Sequence, residues 1–338
     1  MKLGDLSVGY LISLQRALEA SGQDPWPLFQ RYRVSREMLA EPQARISIPR
    51  FMRLGNAAIR LTGNPALGLR MGQLSQPSHL GLAGMAAQCA PTLRQALETL
   101  TRFERLSSQN YRGHSTFAAP AHRFYSISPY NAFNFFVVDS ALSSRAHLGW
   151  QLTSGQARLR EVQVEFAPPP YADAYEALFG CPVYFEQAEN QLLWDSASLD
   201  LPLVQSAATT HAHLIQLCEQ QMAEQMRHRR LRERVEELIS ARLHRTLPTL
   251  EQVAAQLGTA PWTLRRRLLQ EDQIRFQDII DQTRRDLAVS YIRDTELALG
   301  EIAFLLGFSS PAAFQRAFRR WTGQPPGQFR RNELRSNA

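Results

Sequence analysis

One pattern that occurs twice limits the fold of the last third of the chain. Its copies are Glu251-Gln252-Val253-Ala254-Ala255-Gln256-Leu257-Gly258 and Gly300-Glu301-Ile302-Ala303-Phe304-Leu305-Leu306-Gly307. In each copy a β-branched residue and an alanine share one turn, a leucine three residues after the alanine completes an apolar face, and a glycine follows. Glycine adopts the positive φ of a tight turn after a helix without steric cost. The pattern therefore predicts two helix-turn-helix units.

A second short helix is predicted after each turn, over residues 261–269 and 311–321, with the second turn one residue longer than the first. Two apolar positions and one arginine then recur at matched places, Leu264 with Phe314, Leu268 with Phe318, and Arg266 with Arg316. Apolar residues thus anchor each second helix, while an arginine recurs on its facing side.

A longer helix is predicted between the two units. Its apolar side recurs at helical spacing through Phe276, Ile279, Ile280, Thr283, Leu287, Tyr291 and Ile292. At 1.5 Å per residue, about 18 residues give a helix roughly 27 Å long. Successive major-groove faces of a duplex are about 34 Å apart. One chain therefore has the reach to place two helices in adjacent grooves on one side of DNA.

The net positive charge lies in the same region as the repeat. Residues 227–338 contain 20 arginines and 13 acidic residues, a net charge of +7, whereas residues 1–226 contain 18 residues of each sign. A basic region suits phosphate binding because each neutralised phosphate releases counterions. Lys2 is the only lysine in the chain, so the preference for arginine over lysine is not by itself evidence for DNA binding. For the basic run 227–234 alone, a solvated helix face is the favoured explanation.

The N-terminal part shows mixed helix and strand signals. Helical spacing over residues 6–20 and 48–61, with two shorter helices between them, predicts that the first 70 residues are helical. Alternating or apolar runs predict strands at 115–118, 123–128, 162–166, 183–185 and 191–194. Amphipathic spacing predicts further helices at 93–103, 132–152 and 171–179.

These signals predict a three-part organisation. An α+β N-terminal domain, with helices and a small sheet, occupies residues 1–205. A helical linker follows over residues 206–230. An all-α domain with two helix-turn-helix units joined by a long helix occupies residues 231–338.

The chain carries no signal for a membrane or for export. No run of about 18 apolar residues is present, and Asp5 stands where a signal peptide has a basic flank. The three cysteines are far apart and form no Cys-x-x-Cys pair, which argues against a disulfide framework and favours small buried hydrophobes: Cys89, Cys181 and Cys218. We expect a cytoplasmic protein.

Motifs for catalysis and for metal or cofactor binding are missing from the sequence. There is no His-Glu-x-x-His, no Gly-x-Ser-x-Gly, no phosphate loop and no dinucleotide fingerprint. His211 and His213 face different sides of a helix and have no third ligand nearby. His79, among small residues, is either a ligand-pocket residue or, as we favour, a structural histidine. We expect no enzyme, no cofactor and no metal.

The second repeat carries a resemblance to a known family. It is similar to the DNA-binding domain of the arabinose-regulator (AraC/XylS) family of bacterial transcription factors through a long motif with fixed spacing: Ile302-Ala303-x-x-Leu306-Gly307-Phe308-Ser309-Ser310-x-x-x-Phe314-x-Arg316-Ala317-Phe318-x-x-Trp321-Thr322-Gly323-x-x-Pro326-x-x-Phe329-Arg330. The resemblance covers about residues 231–332.

Residues 5–205 resemble the N-terminal, arabinose-binding-like domain of the subgroup that contains ornithine-utilisation-type regulators. Two motifs carry this resemblance: His79-x-Gly81-x-x-Gly84 and Pro91-Thr92-Leu93-x-x-Ala96-Leu97-x-x-Leu100-x-Arg102-Phe103.

The resemblance implies that side chains on the second helix of each unit enter the major groove. By position these are Trp262, Thr263, Arg265 and Arg266 in the first unit, and Pro311, Ala312, Gln315 and Arg316 in the second. Arg319 and Arg320 complete the predicted DNA-binding set, with Arg320 as a phosphate contact. The second helix begins with the apolar run 311–313, so shape and phosphate contacts are expected to dominate there. The first unit is expected to carry more of the sequence specificity.

The resemblance predicts a sequence-specific transcriptional regulator whose N-terminal domain senses a small molecule, dimerises, or does both. Its expected partners are double-stranded promoter DNA, RNA polymerase, a small-molecule effector and a second copy of the chain. The alternatives are a sequence-tolerant architectural DNA-binding protein, and an enzyme in residues 78–200 fused to a DNA-binding tail. The missing catalytic motifs speak against the enzyme.

Overall fold

The computed structural model describes most of the chain, namely residues 4–110, 114–125, 135–227, 230–243, 247–294 and 297–336. The described chain forms two compact units, residues 4–224 and residues 225–336. The first contains helices and sheets, and the second contains helices.

The helices of the N-terminal unit follow in chain order: α1 (Val8–Ala20), α2 (Trp26–Arg31), α3 (Arg36–Ala40), α4 (Ile48–Thr62), α5 (Leu67–Gln73), a 3₁₀ turn (Pro77–Leu80), α6 (Gly81–Gln88), α7 (Leu93–Arg102), α8 (Glu104–Ser107), α9 (Phe135–Leu152), α10 (Asp173–Phe179), α11 (Ser196–Leu199) and α12 (Ala208–Arg227), whose last residues belong to the second unit.

Strands of the same unit form two sheets. They are β1 (Gly4–Ser7), β2 (Arg45–Ser47), β3 (Ser108–Asn110), β4 (Thr116–Ala118), β5 (Ala121–Phe124), β6 (Leu159–Gln163), β7 (Val183–Tyr184) and β8 (Asn190–Trp194). One sheet has the order β2-β1-β3 and the other β4-β5-β8-β6-β7. The pairs are antiparallel except β6 with β7, which is parallel.

The α+β class is confirmed, but the prediction that the first 70 residues are helical is wrong at two short strands. In β1, Asp5 pairs with Ser47 of β2 and with Gln109 of β3. The side chain of Arg45 also binds the carboxylate of Asp5. These strands gain their hydrogen bonds from distant segments, so local periodicity does not reveal them. The predicted strand end at 126–128 and the predicted helix start at 132–134 lie outside the described residues.

The core of the N-terminal unit depends on close packing of α5 against α9. A Cβ at Gly72 would come within 2.4 Å of Ser143 Cβ, and one at Gly68 within 2.7 Å of Asp139 Cβ. Further along α9, a Cβ at Gly149 would come within 2.2 Å of the indole of Trp194. Glycine at these positions lets two helices and the larger sheet share one apolar core.

Helix α12, which falls within the predicted linker, packs on the N-terminal unit. Cys218 is fully buried, and Leu214, Ile215 and Met222 pack with it in an apolar cluster that includes Phe103. Burial is also the main reason that the pKa of the Cys218 thiol rises to about 11. This cysteine behaves as a small hydrophobe.

The C-terminal unit contains α13 (Leu231–Ser240), α14 (Leu250–Gln256), α15 (Pro261–Glu271), α16 (Phe276–Asp294), α17 (Leu299–Leu305), α18 (Pro311–Thr322) and α19 (Pro326–Ser336). The pairs α14–α15 and α17–α18 are the two predicted helix-turn-helix units, and α16 is the long helix between them. A single apolar cluster joins α16 to both units through fully or nearly fully buried residues: Leu264, Leu268, Ile279, Leu287, Ile292, Phe314 and Phe318.

A buried carboxyl group lies between α9 and α10. Asp139 is fully buried and accepts hydrogen bonds from the phenols of Tyr171, at 2.9 Å, and Tyr175. Burial disfavours the ionised form and raises the pKa of Asp139 from 3.8 to about 7, while the two tyrosines oppose this shift. The folded unit therefore binds this proton more tightly than the unfolded chain does.

This raised pKa predicts a pH dependence of stability. The stabilisation from the proton on Asp139 is fully present below pH 4 and is lost as the pH rises through about 7. We expect the wild type to lose roughly 2 kcal/mol more unfolding free energy than Asp139→Asn between pH 5 and pH 8. Urea denaturation followed by circular dichroism measures the difference. Equal losses in the two proteins would contradict the assignment.

Candidate DNA-binding surface

Local hydrogen bonds define where the first helix-turn-helix unit begins and turns. Thr249 Oγ1 accepts a hydrogen bond from the Gln252 backbone N–H at 3.3 Å, and Gln252 Oε1 accepts one from the Thr249 N–H at 3.2 Å. This reciprocal cap satisfies two helix-terminal donors of α14. Gly258 forms the turn with a φ of 65°, and Pro261 then starts α15 at a position that tolerates its missing N–H.

The second unit uses comparable caps with different residues. The Ala298 N–H donates to Glu301 Oε2 at 2.7 Å, and Ser310 Oγ accepts from the Ala313 N–H at 3.2 Å. Helix α18 ends at Gly323, which has a φ of 80°. Helix α18 therefore starts and stops at residues suited to those positions.

Arg284, on the long helix α16, holds the turn of the second unit in place. Its Nε donates to the Leu306 carbonyl at 2.9 Å and its Nη2 to the Gly307 carbonyl at 2.7 Å. Its guanidinium carbon also lies 4.6 Å from the ring centroid of Phe308. The sequence prediction missed this residue, because its partners are more than 20 residues away and no motif position marks it.

Helix α15 presents its predicted DNA-binding residues on the surface. Trp262 is 66% exposed, Arg265 and Arg266 are exposed, and Thr263 is half-buried. The guanidinium carbon of Arg266 lies 5.3 Å from the ring centroid of Trp262, within cation–π range. Buried Leu264 and Leu268 anchor the other side, so the indole and the arginines face solvent.

Helix α18 presents the second set. Pro311, Ala312, Gln315 and Arg316 are all exposed, whereas Phe314 and Phe318 are fully buried. The aromatic core of this unit also includes Phe308, 5.6 Å from Phe314 between ring centroids. The structure thus places the predicted residues of each helix on an exposed face.

Arg319 and Arg320, at the end of α18, are exposed as well. Arg320 Nη2 lies 3.9 Å from Asp281 Oδ2 of α16, and 71% of the Arg320 side chain is accessible. An ion pair at the surface contributes only about 0–1 kcal/mol. A phosphate group can therefore compete with Asp281 for this arginine.

Comparisons with known proteins bear on the whole chain. The family profile described as the arabinose-binding N-terminal domain of AraC transcription regulators matches residues 22–203, and a helix-turn-helix domain profile matches residues 253–332. The ornithine utilization regulator of Pseudomonas aeruginosa is 31% identical over 331 residues, which cover 96% of this chain and 95% of that protein. The regulator VirS of Mycobacterium tuberculosis is 29% identical and covers 91% of each chain.

The chain belongs to the AraC family of transcription regulators, and it is a DNA-binding transcription regulator of the helix-turn-helix type. Both the family and the arabinose-binding-type N-terminal domain predicted from the sequence are confirmed. Among solved structures, the transcriptional regulator CdpR of Pseudomonas aeruginosa is similar over 96% of this chain and 98% of its own, with a TM-score of 0.46 and 22% identity.

Two features are absent from the described residues. None of the helices there is both long enough and apolar enough to cross a membrane. The described part of the chain also holds no cluster of three or more His, Cys, Asp or Glu side chains arranged to bind a metal ion.

The two turn glycines predict different costs of substitution. Gly307 has a φ of 68°, and a Cβ there would come within 2.4 Å of the Leu243 carbonyl oxygen, whereas a Cβ at Gly258 would have no described atom within 4 Å. Gly258→Ala should cost about 1–2 kcal/mol from its backbone conformation. Gly307→Ala should cost more in urea denaturation. Equal losses would show that the approach of Leu243 is unimportant.

Proposed function

We propose that this regulator binds specific promoter sequences by setting α15 and α18 into successive major grooves on one side of the duplex. The observation that carries this proposal is the shared core that joins both helices to α16. Helix α16 has 19 residues, or roughly 28 Å at 1.5 Å per residue. That length is close to the roughly 34 Å between successive groove faces, and one core keeps the spacing constant.

The proposal divides the contacts unequally between the helices. In α15, Arg265 and Arg266 can each donate two hydrogen bonds to guanine, with Trp262 and Thr263 beside them. In α18, Gln315 and Arg316 are the polar base readers, while Pro311 and Ala312 can meet thymine methyl groups. Arg319 and Arg320 contact phosphates, which position the protein without reading sequence.

The N-terminal part, residues 1–205, is proposed to sense a small molecule, to dimerise, or to do both. The arabinose-binding family profile supports a ligand-binding rather than a catalytic role. Residues 206–230 are proposed to connect this domain to the DNA-binding domain over residues 231–338. Since α12 packs on the N-terminal unit as far as Met222, the part of the chain that connects the two domains is shorter than the 206–230 predicted from the sequence.

The remaining parts of the proposal concern the cellular setting. We place the regulator in the cytoplasm, as a homodimer that acts on transcription together with RNA polymerase. Family membership supports these assignments.

A binding titration tests the central proposal. Labelled DNA from the protein's own promoter and a scrambled fragment of equal length are titrated with full-length protein at fixed salt, with anisotropy as the readout. We expect the promoter fragment to bind at least about a thousandfold more tightly. Equal affinity for both fragments would instead favour the sequence-tolerant architectural protein.

For base reading, we predict that Arg316→Ala costs about 1–3 kcal/mol of binding free energy and relaxes specificity at one base position. The measurement is a titration against single-base variants of the site. Arg94→Ala removes a half-buried arginine from the N-terminal unit and serves as the control, with no expected change. A uniform loss over all variants would assign Arg316 to phosphate instead.

For phosphate binding, we predict that Arg320→Ala weakens binding to all sequences alike and lowers the slope of log K against log salt by about one. Asp281→Asn removes the carboxylate 3.9 Å from Arg320 and should tighten binding to all sequences. Titrations at several salt concentrations measure both. A change confined to one base position in Arg320→Ala would contradict this role.

A further inference from the structure

The N-terminal unit encloses a cavity that the DNA-binding function does not use. It has a water-accessible volume of about 40 Å³, and its lining combines apolar side chains such as Phe51, Met71 and Val137 with the polar residues Arg145, Glu104 and His79. One water needs about 10–15 Å³ by this measure. The cavity therefore accommodates a molecule with the volume of about three waters, such as a short-chain acid.

Arg145 brings a buried positive charge to this cavity. The residue is 4% exposed, and within the described part of the chain its Nε has no hydrogen-bond acceptor. Glu104 Oε1 lies 3.9 Å from Arg145 Nη2, beyond hydrogen-bond distance. The carboxylate of Glu104 instead accepts from the Ser115 N–H at 2.8 Å and from Ser115 Oγ at 2.6 Å. Glu104 therefore offsets the charge of Arg145 at ion-pair distance, but the buried Nε–H lacks an acceptor, and such an unpaired donor is costly.

His79 brings a second buried donor to the same cavity. Its Nδ1 accepts from the Gln76 backbone N–H at 3.3 Å, and Ser13 Oγ lies 2.8 Å from the same nitrogen. Burial, with a smaller contribution from Arg16, lowers the pKa of His79 to about 4, so the ring is neutral at pH 7. A neutral ring that accepts at Nδ1 carries its proton on Nε2. Among the described residues no group accepts from Nε2.

We propose that this cavity is the binding site for a small carboxylate, whose oxygens accept hydrogen bonds from Arg145 Nε and from the Nε2–H of His79. The proposal rests on the sensing role proposed above and names its ligand class. A carboxylate supplies several acceptor sites for the two donors, and a hydrogen bond from the charged guanidinium to it is stronger than one to a neutral acceptor. The apolar walls suit a short aliphatic chain on the carboxylate.

The first experiment uses the wild-type full-length protein and matched compounds. Butyrate and butyramide have the same shape but differ in charge. The compound 2-aminobutyrate adds an ammonium group, from which the carboxylate of Glu104 could accept a hydrogen bond. A ligand that binds only the folded state raises its melting temperature. Calorimetry at pH 7 should show a concentration-dependent rise with butyrate or 2-aminobutyrate and none with butyramide. Whichever of butyrate and 2-aminobutyrate gives the larger rise in melting temperature shows whether the site prefers a simple acid or an amino acid.

Variants then test the two donors. Arg145→Lys keeps the charge but loses the planar donor set and should weaken carboxylate binding about tenfold or more. His79→Asn keeps an acceptor for the Gln76 N–H but has no donor at the Nε2 position, and should also weaken binding. Arg94→Lys, at the exposed pair with Asp200, is the control and should bind as the wild type does. Circular dichroism reports whether each variant is folded.

The outcomes separate this inference from the proposed sensing role. If butyramide and butyrate raise the melting temperature equally, the carboxylate assignment is overturned. The carboxylate assignment is also overturned if straight-chain acids of two to six carbons leave the melting temperature unchanged while neutral molecules of that size raise it. In that case the proposed sensing role still stands. If no small molecule of a broad metabolite panel changes the melting temperature, both proposals fail.

Discussion

The buried stripe of α16 is the constraint on which the C-terminal unit depends. Its apolar residues belong to the same cluster as the anchors of α15 and α18, so the two helix-turn-helix units cannot shift independently without opening that cluster. Arg284 adds a polar connection from the same helix to the turn of the second unit. Two separately mobile units would lose orientational freedom on binding DNA, whereas units held by one core have already lost it on folding.

The N-terminal unit is organised around α9, which carries two buried ionisable groups of opposite charge. Close packing at Gly68 and Gly72 seals this helix from water. Asp139 is satisfied by two phenols, whereas Arg145 faces a cavity with its Nε unmatched among the described residues. A fully satisfied buried group helps to specify a unique core. The carboxylate proposed above would supply the acceptor that Arg145 Nε lacks, so this helix would carry one structural and one ligand-binding group.

Much of this architecture could be predicted from the sequence, because the periodicity of apolar residues along a long helix is visible in the local sequence. The matched positions of the repeat also placed Arg266 and Arg316 on exposed helix faces. Strand β1 escaped prediction because its partners are about 40 and 100 residues away. Arg284 escaped because nothing local indicates which carbonyls it reaches. The sequence favours a structural histidine at His79, and only the tertiary packing shows that this residue lines a cavity and that no described group accepts from its Nε2.

The exposed position of Trp262 has an optical consequence. Of the five tryptophans in the chain, Trp262 is the exposed one, while Trp26, Trp150, Trp194 and Trp321 are partly or fully buried. An indole in water emits at longer wavelength than one in an apolar core, and a groove that received α15 as proposed would change the surroundings of this ring. Its emission would then report the docking of the first unit without any added label.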